Sequence, residues 1–237
     1  MKNAAEFETI NDDVFGRIAS RYDLLCDLFS FGIHRLWKRR VSRIIANEPW
    51  SVLLDVASGT GDIVSRILHG KDITSNQKIL ASDISQKMLK IAEVKLKRFS
   101  DYINFEIIDA HSMPSIADSS IDVYSMSLGL KICDREKAIS EAFRVLKPGG
   151  RLITLEASNI PIGWLHALYL AYMALCMPII GWVATRGDAS AYKYLLHGVK
   201  DFPSAEELKK EFELAGFKEV DFERLTFGIV AIHNARK

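Results

Sequence analysis

Short apolar runs alternate with amphipathic segments along most of this chain of 237 residues. The apolar runs predict five β-strands, at Val52–Val56, Lys78–Asp83, Asn104–Ile108, Ile121–Ser127 and Arg151–Glu156. Helical patterns separate these strands, at Ile63–Leu68, Gln86–Phe99 and Glu136–Leu146. Such alternation predicts an α/β fold with a doubly wound, mostly parallel sheet, since parallel strands need helical crossovers between them.

The end of the chain follows a different pattern. Ser204 is placed to cap a predicted helix over Ala205–Ala215. Val220–Leu225 and Phe227–His233 then predict a final hairpin, which would complete a seven-stranded sheet. Between the fourth and fifth strands, Pro148-Gly149-Gly150 predicts a turn, because proline cannot continue a helix and glycine allows positive φ.

Two segments fall outside the alternating pattern. Val14–Ile45 predicts two or three amphipathic helices. The second segment contains Ile160–Ala184, which has no acidic residue, lysine or arginine and is long enough to span a bilayer. A spanning helix within a doubly wound sheet is topologically implausible, and prolines and glycines divide the run. We therefore expect a buried helical hairpin, a lid over an apolar substrate, or a surface that touches a membrane interface.

The length and net charge of the chain indicate how many domains it has and which partners are expected. The chain fits a single domain over residues 1–237, with a substrate or lid segment at 14–45 and an apolar helical insert at 157–202. Its formal net charge of +1 gives no electrostatic reason to expect a nucleic-acid partner.

The cysteines indicate a reducing compartment. Cys26, Cys133 and Cys176 are far apart, with neither metal-ligand spacing nor a disulfide framework. The N-terminal residues carry no apolar secretory segment. We therefore expect a cytoplasmic protein without a metal.

A glycine-containing turn after the first predicted strand carries the candidate chemistry. Asp55, Ala57, Gly59 and Gly61 occupy alternate positions there, and Asp83 ends the second strand. Small residues let the backbone approach a ligand, and the following helix presents unpaired N–H groups to it. A carboxylate at Asp83 can accept both hydroxyls of a ribose. The pattern therefore predicts a nucleoside pocket at the carboxyl edge of the sheet.

The spacing of this turn distinguishes between two cofactors. The dinucleotide fingerprint G-x-G-x-x-G requires a third glycine that is missing here. The carboxylate of Asp55 would also repel a pyrophosphate, whereas it suits the ammonium and sulfonium of S-adenosylmethionine. The sequence therefore predicts S-adenosylmethionine as cofactor and methyl transfer as the reaction.

Four stretches of the chain resemble the ubiquinone/menaquinone biosynthesis C-methyltransferase family of class I methyltransferases. They are Tyr22–Arg39, Arg144–Ser158, the Asp188–Leu195 region and Leu225–His233. The likeness extends from about Val14 to the end of the chain. It implies methylation of a ring carbon of a polyprenylated benzoquinol or naphthoquinol, with S-adenosylmethionine and no metal. Transient contact with the inner face of a membrane is also expected. A homodimer is a further expectation.

The resemblance also implies cofactor-binding residues on and around the predicted nucleoside pocket. Gly59 and Gly61 would approach the methionine end of the ligand, and the carboxylate of Asp109 would reach the adenine amino group or instead cap a turn. The expected cofactor-binding residues are Asp55, Ala57, Gly59, Thr60, Gly61, Asp83, Ile84, Met88, Asp109, Ala110 and Ser127.

The chain departs from the family in three places. Lys131 and Ile132 replace the usual Arg-Asn pair, and Cys26 replaces an asparagine. Lysine keeps the positive charge but loses the bidentate geometry of arginine. We expect these changes to lie in the reaction centre, away from the cofactor site, so that they affect the substrate more than the reaction type.

Three side chains are the candidates for acting on the quinol hydroxyl. Lys131 would stabilise an aryloxide or accept its proton. Tyr22 would hydrogen-bond the quinol oxygen or pack in the core, and His34 would accept a proton or serve a structural role. Glu156, at the end of the fifth strand and facing the cleft, is a weaker base candidate.

Two other functions fit the same sequence. The first is methylation of another small molecule or of a phospholipid headgroup, which the Lys131-Ile132 replacement favours. The second is a non-catalytic quinone- or lipid-binding subunit that retains the cofactor pocket for stability. An intact cofactor site argues against the second alternative.

Overall fold

The computed structural model describes residues 19–70, 73–185 and 202–237. Among these residues, seven strands form one sheet: β1 (Val52–Val56), β2 (Lys78–Asp83), β3 (Ile103–Ile107), β4 (Ile121–Ser127), β5 (Leu146–Ala157), β6 (Lys218–Leu225) and β7 (Val230–Arg236). Their order across the sheet is β3-β2-β1-β4-β5-β7-β6. The first five strands are parallel, and β7 pairs antiparallel with both β5 and β6. The prediction of a doubly wound, mostly parallel, seven-stranded sheet is confirmed.

Helices cover both faces of this sheet. They are α1 (Tyr22–Ser30), α2 (His34–Asn47), α3 (Asp62–Gly70), α4 (Gln86–Leu96), α5 (Arg135–Val145), α6 (Gly163–Thr185) and α7 (Ala205–Leu214). Short 3₁₀ helices lie at Ala19–Arg21, Lys97–Phe99, Leu130–Ile132 and Thr226–Gly228. The predicted cap of α7 forms, since the Ser204 side chain accepts from the backbone N–H of Glu207.

The core lies in two layers because successive side chains of a strand point to opposite faces. Leu54 packs in the layer that contains α5 and α7, whereas Leu53 packs in the layer that contains α2 and α3. Both leucines are fully buried. Burial on both faces explains why apolar residues occupy successive positions in β1, at Val52, Leu53 and Leu54.

Two predictions at the strand ends need correction. Strand β5 begins at Leu146, not at Arg151, and the predicted turn is an irregularity within it: Ile121 pairs with Leu146 while Val123 pairs with Arg151. The residues between Leu146 and Arg151 interrupt the regular pairing with β4, and Gly149 among them has a φ of +78°. Phe227 lies in a 3₁₀ helix, so that the last strand begins later than predicted.

Helix α6 also differs from the prediction. It continues through Pro178 as one helix of 23 residues, where the sequence predicted separate pieces. Trp164, Leu168 and Leu175 are exposed on it, so the described part is not a buried hairpin. Among the described helices, none combines the length and the hydropathy needed to cross a membrane. The rest of the insert and the Asp188–Leu195 region lie outside the described residues, as do the first residues of the Val14–Ile45 segment.

Candidate active site

A first cavity lies at the carboxyl ends of β1, β2 and β4, with about 710 Å³ of empty space, part of it open to solvent. We call it the glycine-turn cleft. It is lined by Tyr22, Val56, Ala57, Gly59, Asp83, Ile84, Met88, Ile108, Asp109, Ala110, His111, Ser127, Leu128, Gly129, Ile132 and Cys133. Parallel pairing of the central strands brings their ends to one edge, which is why residues distant in sequence meet here.

The turn after β1 leaves space for a ligand. Ala57, Gly59 and Gly61 all have positive φ, of 52°, 56° and 73°. A Cβ added to Gly59 would meet no atom within 4 Å, so its backbone borders open space. A Cβ on Gly61 would lie 2.9 Å from the Leu96 side chain. Gly61 therefore allows α3 to pack closely against α4, which is a structural role.

Asp83 presents its carboxylate to the glycine-turn cleft. Its Oδ2 accepts a hydrogen bond of 2.8 Å from the Gly59 N–H, and its Oδ1 accepts one of 2.9 Å from the Ser85 N–H. Burial raises the pKa of Asp83, and these backbone donors lower it. Each carboxylate oxygen can accept a second bond, so the side chain can bind a vicinal diol while it holds the turn.

Asp55 lies behind the turn and is not among the residues that line the cleft. Its Oδ1 accepts a hydrogen bond from the Ser125 hydroxyl, and its Oδ2 is buried without a partner among the described residues. Burial raises the pKa of Asp55 to about 7. Because a nearby positive charge favours the ionised carboxylate, this group would respond to a cationic ligand.

Most of the expected cofactor residues lie together. Those that line the glycine-turn cleft are Ala57, Gly59, Asp83, Ile84, Met88, Asp109, Ala110 and Ser127. Asp55, Thr60 and Gly61 do not line it. Thr60 is 3% exposed, and its hydroxyl donates a 2.7 Å hydrogen bond to Asp23 on α1.

His111, Ile132 and Cys133 also line this cleft, although the sequence did not predict them as cofactor-binding residues. The expectation that both family departures after β4 lie away from the cofactor site is therefore wrong for Ile132. The spacing of His111, two positions after Asp109 on a turn, is a signal that could have been used, because acidic turn residues often bond to the backbone two residues on.

A second cavity adjoins the first. It has about 1340 Å³ of empty space, again partly open to solvent, and we call it the apolar cavity. It is lined by Tyr22, Leu25, Cys26, Phe29, Ser30, Phe31, Ile33, His34, Trp37, Leu128, Lys131, Ala157, Tyr169, Tyr172, Met173, Thr226, Ile229 and Val230. Tyr22 and Leu128 line both cavities, so the two cavities adjoin at these residues.

The apolar cavity has few polar groups, and most of them follow one side of α1. Tyr22, Cys26 and Ser30 recur every fourth residue, which places them on one side of α1. His34, the first residue of α2, lies next to Ser30 across the intervening turn. The Cys26 thiol and burial raise the pKa of Tyr22 well above its usual value. The Nδ1 of His34 lies 2.8 Å from the Ser30 hydroxyl, and burial lowers the pKa of this histidine.

Lys131 supplies the cationic group of the apolar cavity. It lies in the 3₁₀ helix after β4, and its Nζ donates to the Leu128 carbonyl. Burial lowers the pKa of Lys131, while the nearby carboxylate of Glu156 raises it. The three catalytic candidates Lys131, Tyr22 and His34 thus line one cavity.

Glu156 has a different place from the predicted one. It is fully buried and lines neither cavity, and its Oε1 accepts a 2.7 Å hydrogen bond from the Leu130 N–H. The carboxylate therefore holds the loop that carries Lys131, and the prediction that Glu156 faces the cleft is wrong. Within the described ranges, no cluster of three or more His, Cys, Asp or Glu side chains is placed to hold a metal ion.

The N-terminal helices are fastened to the rest of the site. The Lys38 ammonium lies 3.0 Å from the Asp62 carboxylate at the start of α3. The Trp37 indole N–H donates a 2.7 Å hydrogen bond to Thr226, which lies next to β7 in the fold. These contacts hold α2 against α3 and against the segment before β7, while side chains of both α1 and α2 line the apolar cavity.

Comparisons with known proteins agree with this geometry. The profile of the ubiE/COQ5 methyltransferase family matches residues 2–237. A ubiquinone/menaquinone biosynthesis C-methyltransferase UbiE from Rickettsia felis is 41% identical over 95% of this chain and 92% of the relative. The corresponding protein from Rickettsia bellii is 40% identical over 99% of this chain and 95% of the relative.

Solved structures support the fold. A SAM-dependent methyltransferase from Thermotoga maritima superposes with a TM-score of 0.65 at 19% identity, covering 95% of this chain and 98% of the other. At this identity the likeness is evidence for the shared architecture alone.

Proposed function

The chain belongs to the ubiE/COQ5 methyltransferase family, and from this premise we propose that it transfers a methyl group from S-adenosylmethionine to a ring carbon of a prenylated quinol. The relatives are named for the biosynthesis of ubiquinone and menaquinone. The acceptor is therefore a benzoquinol or a naphthoquinol that still lacks this methyl group.

The observation that supports this proposal most strongly is that the two cavities adjoin and share lining residues. A methyl donor in the glycine-turn cleft and an apolar acceptor in the second cavity would meet at Tyr22 and Leu128. The sulfonium methyl group is already activated, so the protein chiefly has to align donor and acceptor for in-line displacement, which adjoining sites would do.

The residues of the glycine-turn cleft fit S-adenosylmethionine. Asp83 would hold the ribose hydroxyls, Asp109 the adenine amino group, and Met88 would pack against the purine. Ser127 also lines this cleft, and its hydroxyl is buried without a hydrogen-bond partner among the described residues. When bound, the cofactor supplies a methyl group already activated by a positively charged sulfur.

The apolar cavity would prepare the acceptor. Its aromatic and aliphatic walls exclude water and bind the prenyl chain, with Trp37 and Tyr169 on opposite elements. A quinol hydroxyl near Lys131 would lose its proton more readily, to His34 or to water, because an adjacent cation stabilises the aryloxide. The resulting charge makes the ortho carbon nucleophilic. After the methyl transfer the ring carbon would lose its own hydrogen as a proton, which restores the aromatic ring and the hydroxyl. Tyr22 would hydrogen-bond the second oxygen atom or orient the ring.

We also propose that the mouth of the apolar cavity contacts a membrane surface, from which the quinol enters. Phe31, on the turn after α1, is 77% exposed, and on α6 Trp164 is 72% and Leu168 60% exposed. Tyr172 of α6 lies 6.1 Å from Phe31, measured between ring centroids, and both residues line the apolar cavity. The exposed groups of α6 therefore lie on a helix that forms part of the cavity wall. Aromatic side chains favour the headgroup region of a bilayer.

Vesicle binding tests the membrane proposal. The paired change Trp164→Ser and Leu168→Ser should lower partitioning onto phosphatidylglycerol vesicles at least about tenfold, since it removes two large apolar contacts. Leu214→Ser is the matched control, because Leu214 is 88% exposed on α7, away from the cavity. Equal partitioning of all three proteins would contradict the membrane contact.

The proposed reaction is tested by mass spectrometry of quinones from cells that lack the protein. We expect quinones one methyl group lighter on the ring, restored by the wild-type gene. Normal quinones with an altered phospholipid headgroup or another unmethylated metabolite would instead favour a different acceptor on the same scaffold. Loss of the methyl group together with full rescue by a variant unable to bind the cofactor would favour the non-catalytic subunit.

A further inference from the structure

We infer that His111 is a positioning residue that fixes the Asp109 carboxylate for recognition of the adenine amino group, and so contributes to the choice of nucleoside. This inference rests on the proposed function, because it assumes a nucleoside ligand in the glycine-turn cleft. Both residues line that cleft. They follow β3 on a short turn that a bridge between Asp109 and Ser112 closes.

The hydrogen bonds determine which ring nitrogen of His111 carries the proton. The backbone N–H of Asp134 donates to Nε2 across 2.8 Å. A backbone amide is always a donor, so Nε2 accepts and carries no hydrogen. The hydrogen is therefore on Nδ1, which lies 2.8 Å from Oδ1 of Asp109 and donates to it.

This second donor distinguishes the pair from an ordinary turn. Oδ1 of Asp109 also accepts the backbone N–H of His111 at 2.9 Å, as many turn aspartates do. A single backbone bond leaves the carboxylate free to rotate about its last torsion. The ring N–H on the same oxygen fixes the carboxylate plane, and Oδ2 is left with no hydrogen-bond partner among the described residues. The bond from His111 also lowers the pKa of Asp109, which keeps it ionised.

The imidazole ring of His111 connects two segments that line the cleft, one after β3 and one after β4. Asp134, which donates to it, is the N-cap of α5, and its own side chain accepts from the Lys137 N–H. Just before Asp134, Ile132 and Cys133 line the same cleft. His111 therefore holds the turn after β3 in register with the loop after β4, across the space where a purine would fit.

An ionised carboxylate with one free oxygen selects for a hydrogen-bond donor. The 6-amino group of adenine is such a donor, whereas the 6-oxo group of hypoxanthine is an acceptor and would be repelled. A site built for one hydrogen-bonding partner rejects the analogue that lacks it, since the buried polar group is left unpaired. The preference for adenine over hypoxanthine should therefore depend on how firmly His111 holds the Asp109 carboxylate.

Binding of two product analogues tests the inference. Dissociation constants for S-adenosylhomocysteine and S-inosylhomocysteine are measured by calorimetry on wild type, His111→Ala and His111→Gln. We expect His111→Ala to weaken the adenosyl ligand about tenfold and to change the inosyl ligand about twofold or less. His111→Gln should recover part of the preference, because an amide can both accept from Asp134 and donate to Asp109.

Two controls separate the outcomes. His69→Ala removes an exposed histidine on α3 and should leave both affinities at the wild-type value. A general loss of stability cannot change the ratio of the two affinities, since both ligands meet the same folded molecules. An unchanged ratio in His111→Ala would overturn the positioning role while the proposed function stands. If wild type binds neither ligand, the proposed function fails, and this inference fails with it.

Discussion

The hydroxyl of Thr60, in the turn after β1, donates a 2.7 Å hydrogen bond to the carboxylate of Asp23 on α1. Lys95 of α4 lies 3.3 Å from the other oxygen of the same carboxylate. Helix α1 also carries Tyr22, which borders both cavities. The turn that would hold the cofactor is therefore hydrogen-bonded directly to the helix that would cover the acceptor, and we expect Thr60 to affect cofactor binding through Asp23.

We expect Thr60→Val and Asp23→Ala each to weaken S-adenosylmethionine binding about fivefold, the cost of one hydrogen bond. Because both changes break the same contact, the double variant should be no weaker than either single variant. Calorimetric titration measures this cycle, with Thr60→Ser as the control that keeps the hydroxyl. Additive losses would show that Thr60 contacts the cofactor independently of Asp23.

Asp83→Ala should abolish detectable cofactor binding. The change removes the carboxylate proposed to hold the ribose and also frees the N–H groups of Gly59 and Ser85 that shape the turn. Titration with S-adenosylmethionine gives the affinity, and thermal unfolding verifies the fold. Asp221→Ala, at an exposed position on β6, is the matched control. Retained affinity in Asp83→Ala would refute the ribose assignment.

Cofactor affinity should rise with pH through about 7. Burial raises the pKa of Asp55 to about 7, so that this carboxyl is neutral below that pH and negatively charged above it. A positively charged sulfonium is bound more tightly by the charged form. S-adenosylhomocysteine has no sulfonium charge and should show a weaker dependence between pH 6 and 8.

The variant Asp55→Asn isolates this effect. It preserves the size of the side chain and removes the titration, so its affinity for S-adenosylmethionine should be nearly constant over the same pH range. Calorimetry at four pH values measures both proteins. A pH dependence in Asp55→Asn as steep as that of wild type would assign the effect to another group.

Lys131→Met should reduce turnover at least about tenfold and leave cofactor affinity nearly unchanged. Methionine fills the apolar cavity with a side chain of similar length but cannot stabilise an aryloxide. Lys131 lines the apolar cavity and not the glycine-turn cleft, which is why binding and turnover should separate. Lys90→Met, at an exposed position on α4, is the control. Turnover at the wild-type rate would exclude a chemical role for Lys131.

The architecture could be predicted from the sequence because the hydrophobic pattern of the strands agrees with their burial in the sheet. The run Val52–Val56 is apolar except for Asp55, is bounded by small residues and is buried on both faces, so that its strand begins and ends as predicted. The same parallel order brings Asp83 beside Gly59, which the spacing of the motif had indicated. Local pattern and topology together therefore located most of the cleft.

Contacts between distant segments could not be read from local patterns. Trp37 meets Thr226 only because the last strand, β7, lies between β5 and β6 in the sheet. Helix α6 continues through Pro178 because the cost of one proline, about 3 kcal/mol, is local and does not decide the course of a long apolar helix. Ile132 reaches the glycine-turn cleft through the path of the loop after β4, which no periodicity specifies.

The most direct test of the account is methyl transfer by the purified protein from S-adenosylmethionine, labelled in its methyl group, to a demethylated prenyl quinol in detergent or vesicles. We predict label on a ring carbon of the quinone product, at a rate that falls when the prenyl chain is removed, because on our proposal the apolar cavity binds that chain. A protein that binds S-adenosylmethionine but transfers no label to any benzoquinol or naphthoquinol would contradict the account.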